Sequence, residues 1–271
     1  MDKRGNKALL PLFFVVFLFL LSVLFPLLPF HDPDKINLNS LSQSPGLEHP
    51  FGTDSKGRDI FARVIYGSKI SIGVAVAAAF VSAVVGFAVG LTAGYFGGAF
   101  DTVAMSLVDF VLSFPSLLLA IAITVVLPPG VYTVMIALAA VGWTSFARLI
   151  RGRVLTLKDL AFVDAARSVG CSDLRIMLLH LAPLCFQLAL VLTGIKLAGF
   201  LIAEATLSFL GLGAQPPTAT WGSMISANRT YILNAPWMVL YPGIALSLTA
   251  FCFNLVGESL KRKYGLKEYS I

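Results

Sequence analysis

The chain has 271 residues, 57% of them hydrophobic and only 13% charged, with a formal net charge of +6. Soluble domains carry about 45–50% apolar and about 25% charged residues. This composition therefore excludes a soluble enzyme, a disordered chain and a disulfide-rich secreted module, since so little polar surface cannot keep a fold of this length wet. The mean hydropathy of +0.85 asks for lipid as the main solvent. The basic residues lie between apolar runs, as orienting charges do in membrane proteins, and not on a polar domain with interleaved aromatics, so nucleic acid is not an expected partner.

A spanning helix needs about 20 apolar residues. Six stretches meet or approach this: 9–30, 70–96, 103–127, 131–147, 184–210 and 237–257. They predict an all-α integral membrane protein with six transmembrane helices. Residues 1–30 form a tail and first helix, 31–69 an extracytoplasmic loop, and 70–257 a five-helix core. That core contains a cytoplasmic loop at 148–183 and an outer loop at 211–236, and residues 258–271 form a cytoplasmic tail. The first stretch follows Lys3, Arg4 and Lys7, but it is too long for a signal-peptide core of about 7–15 residues, which predicts an uncleaved span. Counting cations from an inside N-terminus gives thirteen in the inside segments and six outside, which favours two cytoplasmic termini.

Residues 56–69 place Ile60, Phe61, Val64 and Ile65 on one helical face, with Asp59 and Arg63 as an i,i+4 pair. This predicts a short amphipathic elbow at the outer surface, either only leading into the second span or docking a binding protein. The second span carries Ala78, Ser82, Gly86, Gly90 and Gly94, a small residue every fourth position, which lets helix backbones approach closely in lipid. Pro115 and Pro242 predict bends in the third and sixth spans, with a hinge as the functional version.

No phosphate loop, H-E-x-x-H, G-x-S-x-G or C-x-x-C motif occurs, so neither catalysis nor ATP binding by this chain is expected, and no metal site or cofactor. The loop at 148–183 is the most informative segment. It reads as a short helix, a break at Gly170, and a second amphipathic helix capped by Ser172 with Asp173 in its first turn. Ala165 and Ala166 leave the surface of this knob smooth, so that it fits a partner's groove; the alternative is a helix lying on lipid headgroups. Glu204 and Lys196 lie inside the fifth span, where charges are costly and usually face the bundle interior or water. Glu204 is either a structural partner or a cavity-lining carboxylate. Asp109 in the third span favours a structural role, and Ser208 and Phe209 are placed toward the outer path. The loop with Pro216, Pro217, Trp221, Pro236 and Trp237 either caps the outer mouth or is a surface loop with interfacial tryptophan anchors.

Asp164-Ala165-Ala166, then Gly170, His180 and Pro183, resembles the EAA loop of permease subunits of ABC importers, with Asp164 in place of the usual Glu and Ala182 in place of the usual Leu. Residues 49–61, H-P-F-G-T-D-S-K-G-R-D-I-F, 204–213, E-A-T-L-S-F-L-G-L-G, and 216–222, P-P-T-A-T-W-G, are similar to stretches of the C-type dipeptide, oligopeptide and nickel permeases. The resemblance implies the type I importer permease fold. It also implies a second homologous permease, two ATPase subunits that bind the ATP, an extracytoplasmic binding protein, and transport by alternating access. It implies ATPase docking through Asp164, Ala165, Ala166, Arg167, Gly170, Ser172 and Asp173. The residues themselves lead us to expect a pathway touching Glu204, Ser208, Phe209, Lys196 and Asp109, and an outer loop built on Pro216, Pro217, Trp221 and Gly222. A di- or oligopeptide is the expected substrate and a nickel or metal-chelate importer the alternative. A carrier or channel that needs no ATPase is the rival of another class.

Overall fold

The structure, a computed structural model, describes residues 9–24 and 32–264. The basic residues Lys3, Arg4, Lys7 and Lys267, residues 25–30 of the first predicted stretch, and His31 lie outside the described residues. Among the described residues ten α-helices follow one another: α1 Leu9–Leu24, α2 Ile60–Phe96, α3 Gly98–Leu112, α4 Ser116–Val126, α5 Val131–Leu157, α6 Ala161–Ser168, α7 Asp173–Arg175, α8 Ala182–Phe209, α9 Trp221–Asn228 and α10 Trp237–Lys263. A π-helical turn, Ile176–Leu181, joins α7 to α8, so helix runs from Asp173 to Phe209. Four of these helices are long and apolar enough to cross a membrane: Ile60–Phe96, Val131–Leu157, Asp173–Phe209 and Trp237–Lys263.

The third predicted stretch is two helices. α3 and α4 meet at 92° around Ser113-Phe114-Pro115, and Pro115 stands at the N-cap of α4. A ring without an N–H cannot continue the ladder of α3, and the residue before it is driven out of the α region, so the expected bend becomes a break. Pro242, by contrast, stays inside a continuous α10.

Helix also runs past the predicted boundaries elsewhere. α5 continues ten residues beyond 147 to Leu157, carrying Arg148, Arg151 and Arg153 on its last turns. No proline interrupts that sequence, and its one glycine, Gly152, is tolerated within a helix. The 148–183 segment is accordingly mostly helical. The elbow at 56–69 also differs: from Ile60 onward it is the beginning of α2, one uninterrupted helix of 37 residues. All of Ile60, Ala62, Val64 and Ile65 are buried, Ile60 and Val64 in a cluster with Met224 and Met238, and Ala62 and Ile65 against Leu18 and Leu21 of α1.

The most extensive packing in the bundle is α2 against α5. The small-residue stripe makes it possible. A Cβ on Gly86 would stand 2.4 Å from the Trp143 carbonyl oxygen, and one on Gly90 would stand 2.5 Å from that of Ala147. α8 and α10 use the same device, with Gly257 against the backbone of Gly194, a pair that the stripe did not point to. A central apolar core joins α2, α4, α5, α8 and α10 through residues such as Ala75, Leu138, Phe200, Leu201 and Phe253. A second cluster lies at the α6 end and a third at the α9 end. α2 reaches both, with Leu91 and Tyr95 in one and Ile60 and Val64 in the other.

Candidate functional site

At the α6 end, eight residues of helix bury Val163 and Ala166 and expose the rest. Positions three apart share a face, so α6 can turn only one narrow edge inward. Ala165 is exposed as expected, but Ala166 is not part of a smooth outer surface. It lies in the core cluster with Ile150, Val154, Ile176 and Leu181, because those neighbours come from α5 and from beyond Gly170. Asp164 and Arg167 face solvent as an i,i+3 pair at 3.7 Å.

Gly170 ends α6 with φ +83°. The Cys171 amide donates to the Ala166 carbonyl at 3.0 Å and the Gly170 amide to Arg167 at 2.9 Å, the two bonds of a Schellman motif. A Cβ on Gly170 would meet nothing within 4 Å, so glycine is required for its backbone angle and not for space. Gly170→Ala should cost about 1–2 kcal/mol, the usual penalty for a left-handed L-residue, read as a lower unfolding temperature in detergent. Ser172 stands at the N-cap of α7 as expected, but its side chain makes no capping bond. Asp173 does begin α7. Its Oδ1 accepts a hydrogen bond from the Tyr95 hydroxyl at 2.6 Å. The knob's outer face is apolar: Val169 is 80% exposed and Leu174 60%, on either side of the Gly170 turn.

In the bundle, Glu204 is 1% exposed. Its Oε1 accepts from the Ser208 hydroxyl at 2.8 Å, one turn on, while Oε2 is buried with no hydrogen-bond partner among the described residues. Ser71 of α2 is close to the same carboxyl group. Lys196, on the same helix, is half-buried, and no ion pair joins it to Glu204. Asp109 is exposed and pairs with Arg148 of α5. A neighbouring pair that the sequence did not single out, Asp101 with Arg151 at 2.6 Å, also ties α3 to α5. Phe209 is exposed at the end of α8.

At the α9 end, residues 211–236 are partly helical, with Ala219, Trp221 and Met224 buried and 229–234 exposed. Thr220 and Ser223 form a capping box that starts α9. Trp221 is completely buried, so it is not an interfacial anchor. Its indole Nε1 donates to the Val64 carbonyl at 3.0 Å and its amide to Ser71 Oγ at 3.3 Å, both on α2. Those partners stand 157 and 150 residues away in sequence, which is why spacing within the loop did not reveal them. Gly222 sits so close to α8 that a Cβ would stand 2.1 Å from the Ala205 carbonyl oxygen. Pro216 and Pro217 are exposed and joined by a cis peptide bond.

The 49–61 stretch is a folded collar around this end. Asp59 caps α2 by accepting from the Ala62 amide at 2.8 Å, and its other oxygen meets His49 Nδ1 at 2.7 Å. Arg63 turns to Asp34 at 2.7 Å, to the Pro33 carbonyl at 2.8 Å and to that of Pro217 at 3.4 Å. The expected Asp59–Arg63 pair gives way because Asp59, at the cap, spends its carboxylate on the helix amide and His49. Phe51 stacks on Tyr241 of α10 with ring centres 4.0 Å apart, and Gly57, at φ +73°, passes against the Asn37 carbonyl. Between the end of α8, the 211–216 turn and α9 lies an open cavity of about 330 Å³ lined by Ser208, Gln215, Pro216, Ser223, Ser226 and Arg229, among others.

Residues 86–265 match the family described as binding-protein-dependent transport system inner membrane component. The chain is 39% identical over 260 residues to the glutathione transport system permease protein GsiD of Escherichia coli O1:K1 / APEC, covering 96% of this chain and 86% of that protein. It is 41% identical, with the same coverage, to the GsiD of Shigella flexneri serotype 5b (strain 8401). With the long apolar helices, these likenesses make the chain a multi-pass inner-membrane protein that transports and does not itself catalyse a reaction. It belongs to the inner-membrane permease family of binding-protein-dependent transport systems, the permease subunits of ABC importers.

Proposed function

We propose that this chain forms half of a translocation pathway for di- or oligopeptides. It would span the membrane six times with both termini cytoplasmic, beside a second homologous permease, two ATPase subunits and an extracytoplasmic binding protein. Permeases similar to it are named for glutathione, itself a small peptide, which supports the substrate class. The observation that carries the docking role is the α6 knob. An apolar outer face, Val169 and Leu174, rests on a buried cluster that links it rigidly to α2, α5 and α8. An exposed apolar patch of this kind marks a contact surface, and Asp164, Ala165, Arg167, Gly170, Ser172 and Asp173 surround it. Gly170 and Ala166 hold its shape from below, and Ala165 and Arg167 offer side chains to the partner.

For the pathway, Phe209 is exposed at the end of α8, Lys196 is half-buried on the same helix, and Asp109 stands at the exposed α3–α5 seam. Glu204 and Ser208 act in our reading behind the pathway wall, holding α8 in place. The α9 cap with Pro216, Pro217, Trp221 and Gly222 closes the outer mouth.

Ala165→Arg tests the docking role without touching the core. ATPase subunits should be lost from the purified complex by about tenfold, equivalent to ~1.4 kcal/mol, while the permease keeps its unfolding temperature. In proteoliposomes holding all subunits and the binding protein, labelled dipeptides or glutathione should accumulate only with ATP. Uptake of a nickel chelate in place of peptide would overturn the substrate, and uptake by this chain with no ATPase present would overturn the whole reading.

A further inference from the structure

The knob is joined to the α9 end by two helices, and only one is covalently continuous with it. Helix from Asp173 carries through the π turn into α8. The other is α2. Its last turn holds Tyr95, 7% exposed, in the same cluster as Val163, Ala166 and Ile176, with its hydroxyl on Asp173 and the Arg167 guanidinium 6.0 Å over its ring. Its first turns hold the outer cap. Val64 receives the Trp221 indole, Ser71 receives the Trp221 amide, and Arg63 bonds the Pro217 carbonyl. Between Val64 and Tyr95 the helix has no proline and covers about 46 Å at 1.5 Å per residue. The glycines that fit it against α5 keep it packed along its second half.

We infer that α2 is a second transmitting rod between the ATPase-docking knob and the outer cap, and that the Tyr95–Asp173 hydrogen bond is its coupling point. This rests on the reading of residues 161–180 as the docking element. When closing ATPases displace α6, a bond to Asp173 drags the end of α2 with it. A rigid helix then carries that displacement to Trp221 and Pro217. Tyr95 is a positioning residue: it touches neither substrate nor ATPase and acts through α2.

The test uses the whole complex, both permeases, the ATPases and the binding protein, in lipid nanodiscs. Tyr95→Phe keeps the ring in the cluster and removes only the hydroxyl. It should retain ATPase subunits at the normal ratio and leave basal ATP hydrolysis unchanged. Binding-protein-stimulated hydrolysis and peptide uptake should fall about five- to tenfold, a usual size for coupling between sites. In a double-mutant cycle, adding Tyr95→Phe to Asp173→Ala should cost no further stimulation. Unchanged stimulation in Tyr95→Phe, loss of ATPase subunits from it, or additive effects in the cycle would each overturn the inference. Ala165→Arg, run in parallel, separates the two levels. If that variant keeps its ATPases, the docking reading falls and this inference falls with it; if it sheds them while Tyr95→Phe behaves normally, only the role of α2 falls.

Discussion

Replacing Gly90 with valine should leave almost no folded protein to purify. A Cβ at this position would stand 2.5 Å from the Ala147 carbonyl oxygen and 2.9 Å from Ile150 Cβ. Two of the three atoms nearest it are Ala147 backbone, so no side-chain rotation relieves the clash, and α2 and α5 must separate. Separation reaches the rest of the seam, because Gly86 and Gly94 are also tight against α5, with a Cβ 2.4 Å from Trp143 and Phe146 atoms at the first and 2.8 Å from Val154 Cβ at the second. In water, two parted apolar helices would still be pressed together. In lipid the surrounding chains are as apolar as leucine, and close packing is what holds helices together. Overpacking a soluble core costs about 1–3 kcal/mol, and here a loss of about 3 kcal/mol or more is expected. Gly73, on the same helix, supplies the control. A Cβ there meets nothing within 4 Å, and alanine is a better helix former than glycine by about 1 kcal/mol. Gly73→Ala should therefore match or exceed the wild-type unfolding temperature, while Gly90→Val should elute as aggregate on size exclusion in detergent. Equal yields from the two variants would show that the stripe does not hold the bundle.

That stripe was legible in the sequence because its signal is local: one helix, one period, one residue class. So was a departure from straight helix at Pro115, expected as a bend and found as a break, which needs only its own ring. The helix, Gly170 turn and second helix were legible for the same reason, since the Schellman bonds close within residues 165–171. Legibility ended where a side chain's fate depended on distant chain. Ala165 and Ala166 are indistinguishable in sequence, and only the arrival of Ile176 and Leu181 decides which one is buried. Trp221 carried the composition signal of an interfacial anchor, yet its partners are Val64 and Ser71. The 49–61 stretch was recognisable as a motif, but its physical purpose, folding against Trp237 and Tyr241 at the start of α10, was not. Tyr95 had no distinguishing signal at all beyond being the one hydroxyl-bearing aromatic near the end of its helix; its value lies in Asp173, 78 residues on.

Glu204 offers the sharpest separation of structure from transport. It is buried at 1% exposure, and the Ser208 hydroxyl donates to its Oε1. Glu204→Ala should remove that acceptor and open a cavity between α8 and α2. A large-to-small change in a core costs about 2–5 kcal/mol, and stranding a buried hydroxyl adds to it. Glu204→Gln keeps the volume and leaves an amide oxygen for Ser208 to donate to, so it should lie within about 1 kcal/mol of wild type, near the net worth of one hydrogen bond. The damage in the alanine variant should reach the outer cap, because Ser71 lies beside this carboxyl group and itself receives the Trp221 amide. Amide hydrogen exchange across 220–228 should accordingly quicken in Glu204→Ala and stay protected in Glu204→Gln. The glutamine variant also decides the functional role. A carboxylate that meets a peptide's amino group loses its charge in Glu204→Gln, so KM for uptake would rise with stability intact. A carboxyl group that only holds α8 and the cap in place predicts unchanged uptake in Glu204→Gln, with both losses confined to Glu204→Ala.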